Sequence, residues 1–411
     1  MTAKLIPFPK VLDIANGSEF CLGHTDNVGK SSTDNCAIER SEPMKTEKPH
    51  NRVRFTVKKQ SFIALMIALM ALYTFQVPAF AAEEVDLVTA VSSAQTMEES
   101  TTRTLIPLGR TVGIKLFSDG VVVIGFSKID TAEGSATPAQ DCGLKAGDII
   151  TQINSEDVDT IEEVQSLLQK LTGDEMTIRA LRGETELTIN AKAVKCSSDG
   201  TYKLGAWIRD SMAGIGTLTF YDPQTGTFGA LGHGINDVDT SLLMPLESGG
   251  IISASVTDVQ KGVSGAPGQL RGTFQLDSDL GSLYANTNGG VFGTANGDSL
   301  KTGEAMQVAT AEEVQCGPAT ILSNIKGDEV QQYEIEITKL LASDDADTRD
   351  LIIKVTDSQL LETTGGIVQG MSGSPILQNG KIVGAVTHVL VDDPTCGYGI
   401  LVEDMLNYAS K

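Results

Sequence analysis

The chain has 411 residues, with 31 Lys/Arg against 53 Asp/Glu and a net charge of −22; at roughly 100–200 residues per domain this is enough for two compact domains and a tail. Residues 1–59 carry ten Lys/Arg and seven Asp/Glu, so the rest of the chain holds 46 acids against 21 bases, and a body that acidic repels nucleic-acid phosphates and anionic lipid, which excludes nucleic-acid binding as its main function. Apolar content of 41%, aromatics at 5% and 42 glycines point to a mainly β protein of short strands and tight turns.

Residues 1–58 are polar, without sustained hydrophobic periodicity, and read as a poorly ordered cytoplasmic tail. Residues 59–82 follow as a membrane or signal segment, whose stretch 62–82 is uncharged, preceded by Arg52, Arg54, Lys58 and Lys59 and followed by Glu83, Glu84 and Asp86. That asymmetry places the amino terminus inside and everything after the segment outside. The length is near the ~20 residues needed to span a bilayer. Ala79, Phe80 and Ala81 also resemble a small-residue cleavage site, so the segment reads as an anchor or a late-cleaved signal. Residues 83–104 form a linker that contains the polar run 92–104. Of six cysteines, Cys142, Cys196, Cys316 and Cys396 lie on the exported side; no CxxC pair supports a zinc site, and up to two disulfides are open to them.

The first folded unit spans 105–195. Strands are expected at 111–116 and 120–126, then a helix with apolar residues at helical spacing over 161–170, then strands at 175–182 and 184–191 joined across Gly183. Between them lies the run Cys142, Gly143, Leu144, Lys145, Ala146, Gly147, Asp148, Ile149, Ile150, which resembles the pattern of a PDZ domain. The resemblance implies an exposed sheet edge that receives an extended peptide as an added strand. The loop 107–110 would take the carboxylate, with Leu108, Gly109, Gly113 and Ile114 as the peptide-binding residues.

The second unit, 203–411, carries many β-prone runs separated by glycine-containing turns and a closing helix at 402–408, the density of a barrel or paired barrels. Of four histidines, His24 and His50 precede the membrane segment, leaving His233 and His388. His233 stands between glycines after an apolar strand, where its imidazole is accessible as general base for a serine nucleophile, while His388, inside a β-prone run, suits a structural role. Residues 370–375, Gly-Met-Ser-Gly-Ser-Pro, resemble the nucleophile turn of chymotrypsin-like serine proteases. Ser372 is the nucleophile on this reading, and the amides of Gly370 and Ser372 form the oxyanion hole. Ser264, in the look-alike Gly-Val-Ser-Gly-Ala-Pro at 262–267, follows His233 by 31 residues and Ser372 by 139. A two-barrel enzyme needs several strands between base and nucleophile, so Ser264 reads as a structural turn and Ser374 as a weaker alternative to Ser372.

With GHGI at 232–235, the long run at 365–389 and the segment at 393–400, the chain resembles the stage IV sporulation protein B (SpoIVB) peptidase family from the membrane segment to its end. The fold implied is a PDZ domain followed by a chymotrypsin-like double β-barrel protease. The activity implied is that of an exported serine endopeptidase, acting without a cofactor or metal, that cleaves itself and a regulatory membrane protein to release processing of a late sigma factor. Its place would be the space between the two membranes around the forespore. The resemblance points to Asp357 as the third triad member, although fold grounds leave Asp237, Asp239, Asp277 and Asp279 open. Met371 stands where the chymotrypsin pattern has aspartate, so the nucleophile loop lacks that internal salt bridge and needs another anchor, for which the PDZ domain is a candidate. The competing reading is a noncatalytic exported PDZ adaptor with a protease-like binding domain.

Overall fold

The computed structural model describes residues 103–410 other than 172, 174 and 342–347, together with two short strands, Val11–Asp13 and Ser18–Phe20. The segment at 62–82 lies outside these residues, as does nearly all of the tail and linker; among the described residues no helix is long and apolar enough to cross a membrane.

The described stretch from residue 103 opens with β1 (Thr104–Pro107) and turns into β2 (Thr111–Phe126), a strand of 16 residues whose two halves belong to different cores. Val112, Ile114 and Leu116 alternate inward in the first half, the period-2 pattern of a half-buried strand. Val121 and Val123 join a second cluster with Leu144, Ile150, Val164 and Ile178. That cluster is the core of the PDZ unit, which comprises α1 (Pro138–Asp141), β3 (Ile149–Ile153), α2 (Ile161–Gln169), β4 (Glu175–Arg182) and β5 (Thr185–Lys192). Its helix α2 starts at a reciprocal capping box, Thr160 with Glu163, and buries Ile161, Val164 and Leu168, the spacing read from the sequence. Asp148, at the end of the glycine-rich run, is fully buried; it accepts Arg182 Nε at 2.7 Å and the Lys145 amide at 2.8 Å, which ties the run to β4.

β6 (Ala206–Tyr221) returns beside β2. Residues 206–209 pair with 122–126 inside the PDZ unit, and residues 211–217 pair with 111–117 inside the protease. The register shifts between Arg209 and Ser211, a bulge that re-aims side chains where the two cores meet. Asp210 there accepts the Ile161 amide at the start of α2 at 3.0 Å. Arg209, 1% exposed, forms an ion pair with the equally buried Asp237 and reaches Asp239 at 2.8 Å.

The remaining strands close two rings. β7 (Thr227–Ala230), β8 (Ser248–Gln260), β9 (Gln269–Thr287) and β10 (Gly290–Ala295) join β2 and β6 in the order β2, β6, β7, β10, β9, β8 and back to β2, antiparallel throughout. After β11 (Met306–Val308), which pairs with β1, come β12 (Gly317–Lys326), β13 (Glu329–Leu340), β14 (Leu351–Val355), helix α3 (Ser358–Thr364), β15 (Pro375–Gln378), β16 (Lys381–Leu390) and β17 (Asp393–Leu401). These six strands close as β12, β13, β14, β17, β16, β15 and back to β12. Closure leaves the barrel portions of these strands without an open edge among the described residues. Helix α4 (Val402–Ala409) ends the chain and packs Val402, Met405 and Leu406 against Phe220 and Phe292.

The expected unit 105–195 is therefore corrected. Residues 104–117 belong to the first protease barrel, and the PDZ unit, closed by the first part of β6, is inserted between two strands of that barrel. The expected peptide edge is corrected with it. The stretch holding Gly113 and Ile114 is flanked by β6 on one side and β8 on the other, so no edge is left for an added strand. The amides of Leu108 and Gly109 are already donated to the carbonyls of Thr219 and Leu218, at 3.0 and 2.9 Å, and receive no carboxylate. Alternation over 111–116 fixes a half-buried strand but not which sheet it joins. The cysteines at 142, 196, 316 and 396 are all free thiols.

Removing Arg209 strands a buried carboxylate, so Arg209→Ala should lower stability by about 3–5 kcal/mol. Urea unfolding checks this, and a loss below about 1 kcal/mol, the range of an exposed ion pair, contradicts it.

Candidate active site

Where the barrels meet, a cavity of about 400 Å³ is lined by His233 and Leu231 from the turn after β7, by Ser372 and Gly370 from the turn before β15, and by Thr387 and His388 from β16. The structure thus brings Ser372 and His233 to one place. His388 joins them, with its ring centroid 4.9 Å from that of His233.

The turn carrying Ser372 is fixed peptide by peptide. The Gln369 carbonyl accepts the Leu270 amide at 2.8 Å; the Gly370 carbonyl accepts Thr217 Oγ1 at 2.7 Å, and the Met371 amide of the same peptide donates to Val368 at 3.1 Å. The Met371 carbonyl accepts the Ser374 amide at 3.0 Å. The Ser372 carbonyl accepts the Thr217 amide at 3.1 Å, while the Gly373 amide donates to Val386 at 2.7 Å. In a trans peptide the N–H points opposite to the C=O. Holding the Gln369 and Met371 carbonyls therefore aims the Gly370 and Ser372 amides the other way, and those two N–H groups have no partner among the described residues. Two unpaired N–H groups flanking a serine on a pinned loop are the elements of an oxyanion hole.

The sequence explains why this turn forms. Gly373 has φ of 96°, and a Cβ there would lie 2.0 Å from the Thr217 carbonyl oxygen, so a side chain is barred by both conformation and space. Met371, in the position of the usual aspartate, is fully buried in the second barrel's core with Ile376 and Val386. The missing salt bridge is thus replaced by burial of an apolar side chain and by two hydrogen bonds to Thr217.

His233 follows Leu231, which has φ of 69°, an unusual conformation for a leucine. The turn is braced by Asn286, whose Oδ1 accepts the Ile235 amide at 2.8 Å and whose Nδ2 donates to Ile235 and Met244 carbonyls at 3.0 and 2.9 Å. Nδ1 of His233 lies 2.8 Å from the Gly234 carbonyl. A carbonyl only accepts, so Nδ1 carries the hydrogen and Nε2 of the neutral ring is the acceptor. Burial pushes the His233 pKa below its ordinary 6.5, with the Gly234 hydrogen bond opposing. Ser372 Oγ donates to the Thr387 carbonyl at 2.7 Å, so the serine–histidine hydrogen bond is not formed in this arrangement.

Asp357 is not brought to the cavity. It is the N-cap of α3: Oδ1 accepts the Leu360 amide at 2.9 Å, Oδ2 faces the Glu334 amide at 3.4 Å, and the Asp357 amide donates to the Glu334 carbonyl. The resemblance pointed to Asp357 as the third member; in this structure the strand-to-helix turn commits its carboxylate to backbone amides and does not bring it to Ser372 and His233. The other candidates do not reach His233 either: Asp237 and Asp239 are engaged by Arg209, Asp279 accepts the Gly281 amide, and Asp277 is exposed. Ser374 is fully buried and bonds to Ser323 Oγ at 3.1 Å; Ser264 donates to the Asp392 carbonyl in an exposed turn. Sequence reasoning missed Thr217 and Asn286, whose partners lie 153 and 51 residues away, and no local motif marks them.

A family model for the SpoIVB peptidase S55 matches residues 200–406, and one for a PDZ domain matches 129–182. No curated protein matches the chain. Among solved structures, the PDZ domain of an SdrC-like protein from Listeria monocytogenes is similar at 27% identity, covering 21% of this chain and 85% of that one with a TM-score of 0.18. The inactive form of the Rv3671c protease matches at 14% identity over 48% of this chain and 83% of that one, TM-score 0.27. The active form of that protease, from M. tuberculosis, matches at 16% identity over 49% and 74%, also with a TM-score of 0.27.

A capping role for Asp357 separates from a triad role by substitution. Asp357→Asn, which still caps, should keep stability within about 0.5 kcal/mol and peptidase turnover within a few-fold, whereas Asp357→Ala should cost about 1 kcal/mol in thermal or urea unfolding. A loss of about 10⁴ in turnover for the asparagine variant would instead mark a triad acid.

Proposed function

The chain belongs to the SpoIVB peptidase S55 family and is a serine endopeptidase with a PDZ domain, and from that premise we propose that Ser372 is its nucleophile, His233 its base and the Gly370 and Ser372 amides its oxyanion hole. The observation that carries the assignment is the shared cavity that Ser372, Gly370 and His233 line together, with Nε2 left as the acceptor of the neutral His233 ring and the Gly370 and Ser372 amides without partners among the described residues. Rotation of Ser372 about χ1 exchanges the Thr387 carbonyl for His233 Nε2. The base then takes the hydroxyl proton as Oγ attacks the scissile carbonyl, the developing oxyanion accepts the two amides, and the imidazolium returns the proton to the leaving amine. The Gly234 carbonyl does the tautomer-holding that a carboxylate does in the familiar triad.

The physiological setting we propose follows from the family and the sequence. The protein is exported and membrane-tethered or released after 62–82, cleaves itself, and cleaves a regulatory membrane protein to release processing of a late sigma factor in sporulation, acting between the membranes around the forespore. The noncatalytic adaptor reading is favoured only by the Ser372–Thr387 hydrogen bond, and the labelling experiment below separates the two.

We also propose that the PDZ unit takes an extended peptide segment on the edge of β6 at Trp207, Ile208 and Arg209, after the turn at Gly205. In support, Val11–Asp13 pairs antiparallel with those three residues, so that edge accepts an added strand. Titration with a peptide that binds the protein should slow amide hydrogen exchange at 207–209 and leave Gly113 and Ile114 unchanged; protection at Gly113 and Ile114 instead would sink this placement.

Wild-type protein should be labelled by a fluorophosphonate probe at Ser372, and Ser372→Ala should lose both labelling and self-cleavage while keeping its unfolding midpoint. Because burial lowers the His233 pKa, the base stays neutral to lower pH than a free histidine. The labelling rate should therefore reach its plateau by neutral pH and fall along one acid limb with its midpoint below 6.5. Labelling that persists in the alanine variant overturns the nucleophile, and a midpoint above 6.5 contradicts the buried base.

A further inference from the structure

Thr217 sits on β6 with no exposed surface and touches both halves of the catalytic apparatus. Its hydroxyl donates to the Gly370 carbonyl at 2.7 Å, its amide donates to the Ser372 carbonyl at 3.1 Å, and its own carbonyl accepts the Leu231 amide, two residues before His233, at 3.2 Å. The other hydrogen bonds that pin peptides 369–373 are made by backbone groups of Leu270, Val368, Ser374 and Val386. The Thr217 hydroxyl is the side-chain contribution to that set.

We infer that Thr217 is a positioning residue for the oxyanion hole, taking the place of the aspartate that Met371 lacks. The argument rests on the reading of Ser372 as nucleophile. An oxyanion hole works by being fixed before charge develops, so a donor that drifts by a fraction of an ångström loses most of its effect on the transition state and little on ground-state binding. Gly370 has φ of 98° and, lacking a side chain, has low resistance to rotation of its peptide. Its carbonyl is held by the Thr217 hydroxyl on one side of the plane and, through the Met371 amide, by Val368 on the other. Without the hydroxyl, the 370–371 peptide, which links the two peptides that carry the Gly370 and Ser372 amides, keeps only the Val368 bond, and those two amides lose their fixed orientation relative to one another. Burial makes the bond stronger still, because water has no access to replace it.

The position of Thr217 along β6 also matters. The same strand enters the PDZ unit at Ala206–Arg209, pairs with β2 along both halves and bulges at Asp210. The loop anchor is thus built on the strand that the two domains share.

The test uses the full chain, with Thr217→Val, which keeps shape and the backbone amide but removes the hydroxyl, and Thr217→Ser, which keeps the hydroxyl. A fluorophosphonate probe places its phosphoryl oxygen in the oxyanion hole as it reacts. For Thr217→Val, the maximal labelling rate constant should fall about 10–100-fold, with the half-saturating probe concentration within two-fold of wild type and with self-cleavage slowed in parallel. Thr217→Ser should restore both within about three-fold. An unchanged rate constant in Thr217→Val overturns the inference. So does equal impairment of both variants accompanied by a lowered melting temperature, since that is the signature of a packing role. If wild-type protein is not labelled at Ser372, the failure belongs to the nucleophile assignment on which the inference stands.

Discussion

The pairing of β2 with β6 is the constraint on which the rest of this molecule depends. Each strand is 16 residues long, and their register runs from the PDZ core, at Val123 with Ile208, to the first barrel, at Thr111 with Thr217. A hydrogen-bonded strand pair does not bend freely, so two domains that share one cannot move as beads on a string. The bulge at Asp210 is where the ribbon turns, and both charged residues there are committed: Asp210 to the start of α2, and Arg209 to Asp237 in the loop after His233. A buried ion pair of this kind is poor evidence for added stability. Its geometric effect is clear, since it ties the base-bearing loop to the strand that enters the PDZ unit.

The same ribbon reaches the nucleophile. Thr217 lies at the far end of the paired segment and meets the carbonyls of Gly370 and Ser372 across the junction of the barrels. The two barrels supply complementary parts: the first gives His233, Asn286 and Thr217, the second gives Ser372, the buried Met371 and the Thr387 carbonyl. Neither barrel alone makes a site. Closure of each into a ring fixes its own residues, and the cavity between the rings gathers them. The histidine's partner is a backbone carbonyl, which holds the tautomer through geometry without adding a negative charge to stabilise the imidazolium. Burial then lowers the His233 pKa, and the Gly234 hydrogen bond opposes that shift only in part.

A good deal of this was legible in the chain itself. The segment at 175–182 forms a strand where alternation and turn residues place it, and α2 buries the three apolar residues its spacing selects. Ser372 and His233 were found by their glycine-flanked turns and by the distance between them, and they do share a cavity. The family resemblance pointed to Asp357, whereas in the structure a helical N-cap turns its carboxylate to backbone amides. Residues 107–114 matched a PDZ entry loop because an apolar strand after a glycine turn looks the same in either sheet.

What the sequence determined by itself is therefore what short stretches encode: backbone freedom at glycine turns, the periodicity of strands and helices, the chemistry of a serine and a histidine, and the lack of an aspartate at Met371. What only the tertiary structure decided is the choice of partners. That the PDZ unit is inserted within a barrel and that Thr217 anchors a loop 153 residues away are both consequences of which strand edges meet. The physical reason is that backbone hydrogen bonds are the same for every residue type, so strand pairing is selected by the summed fit of buried faces over the whole fold. For Ser372 this means that its turn is written in six residues, while that turn is held by hydrogen bonds from a strand of the other barrel.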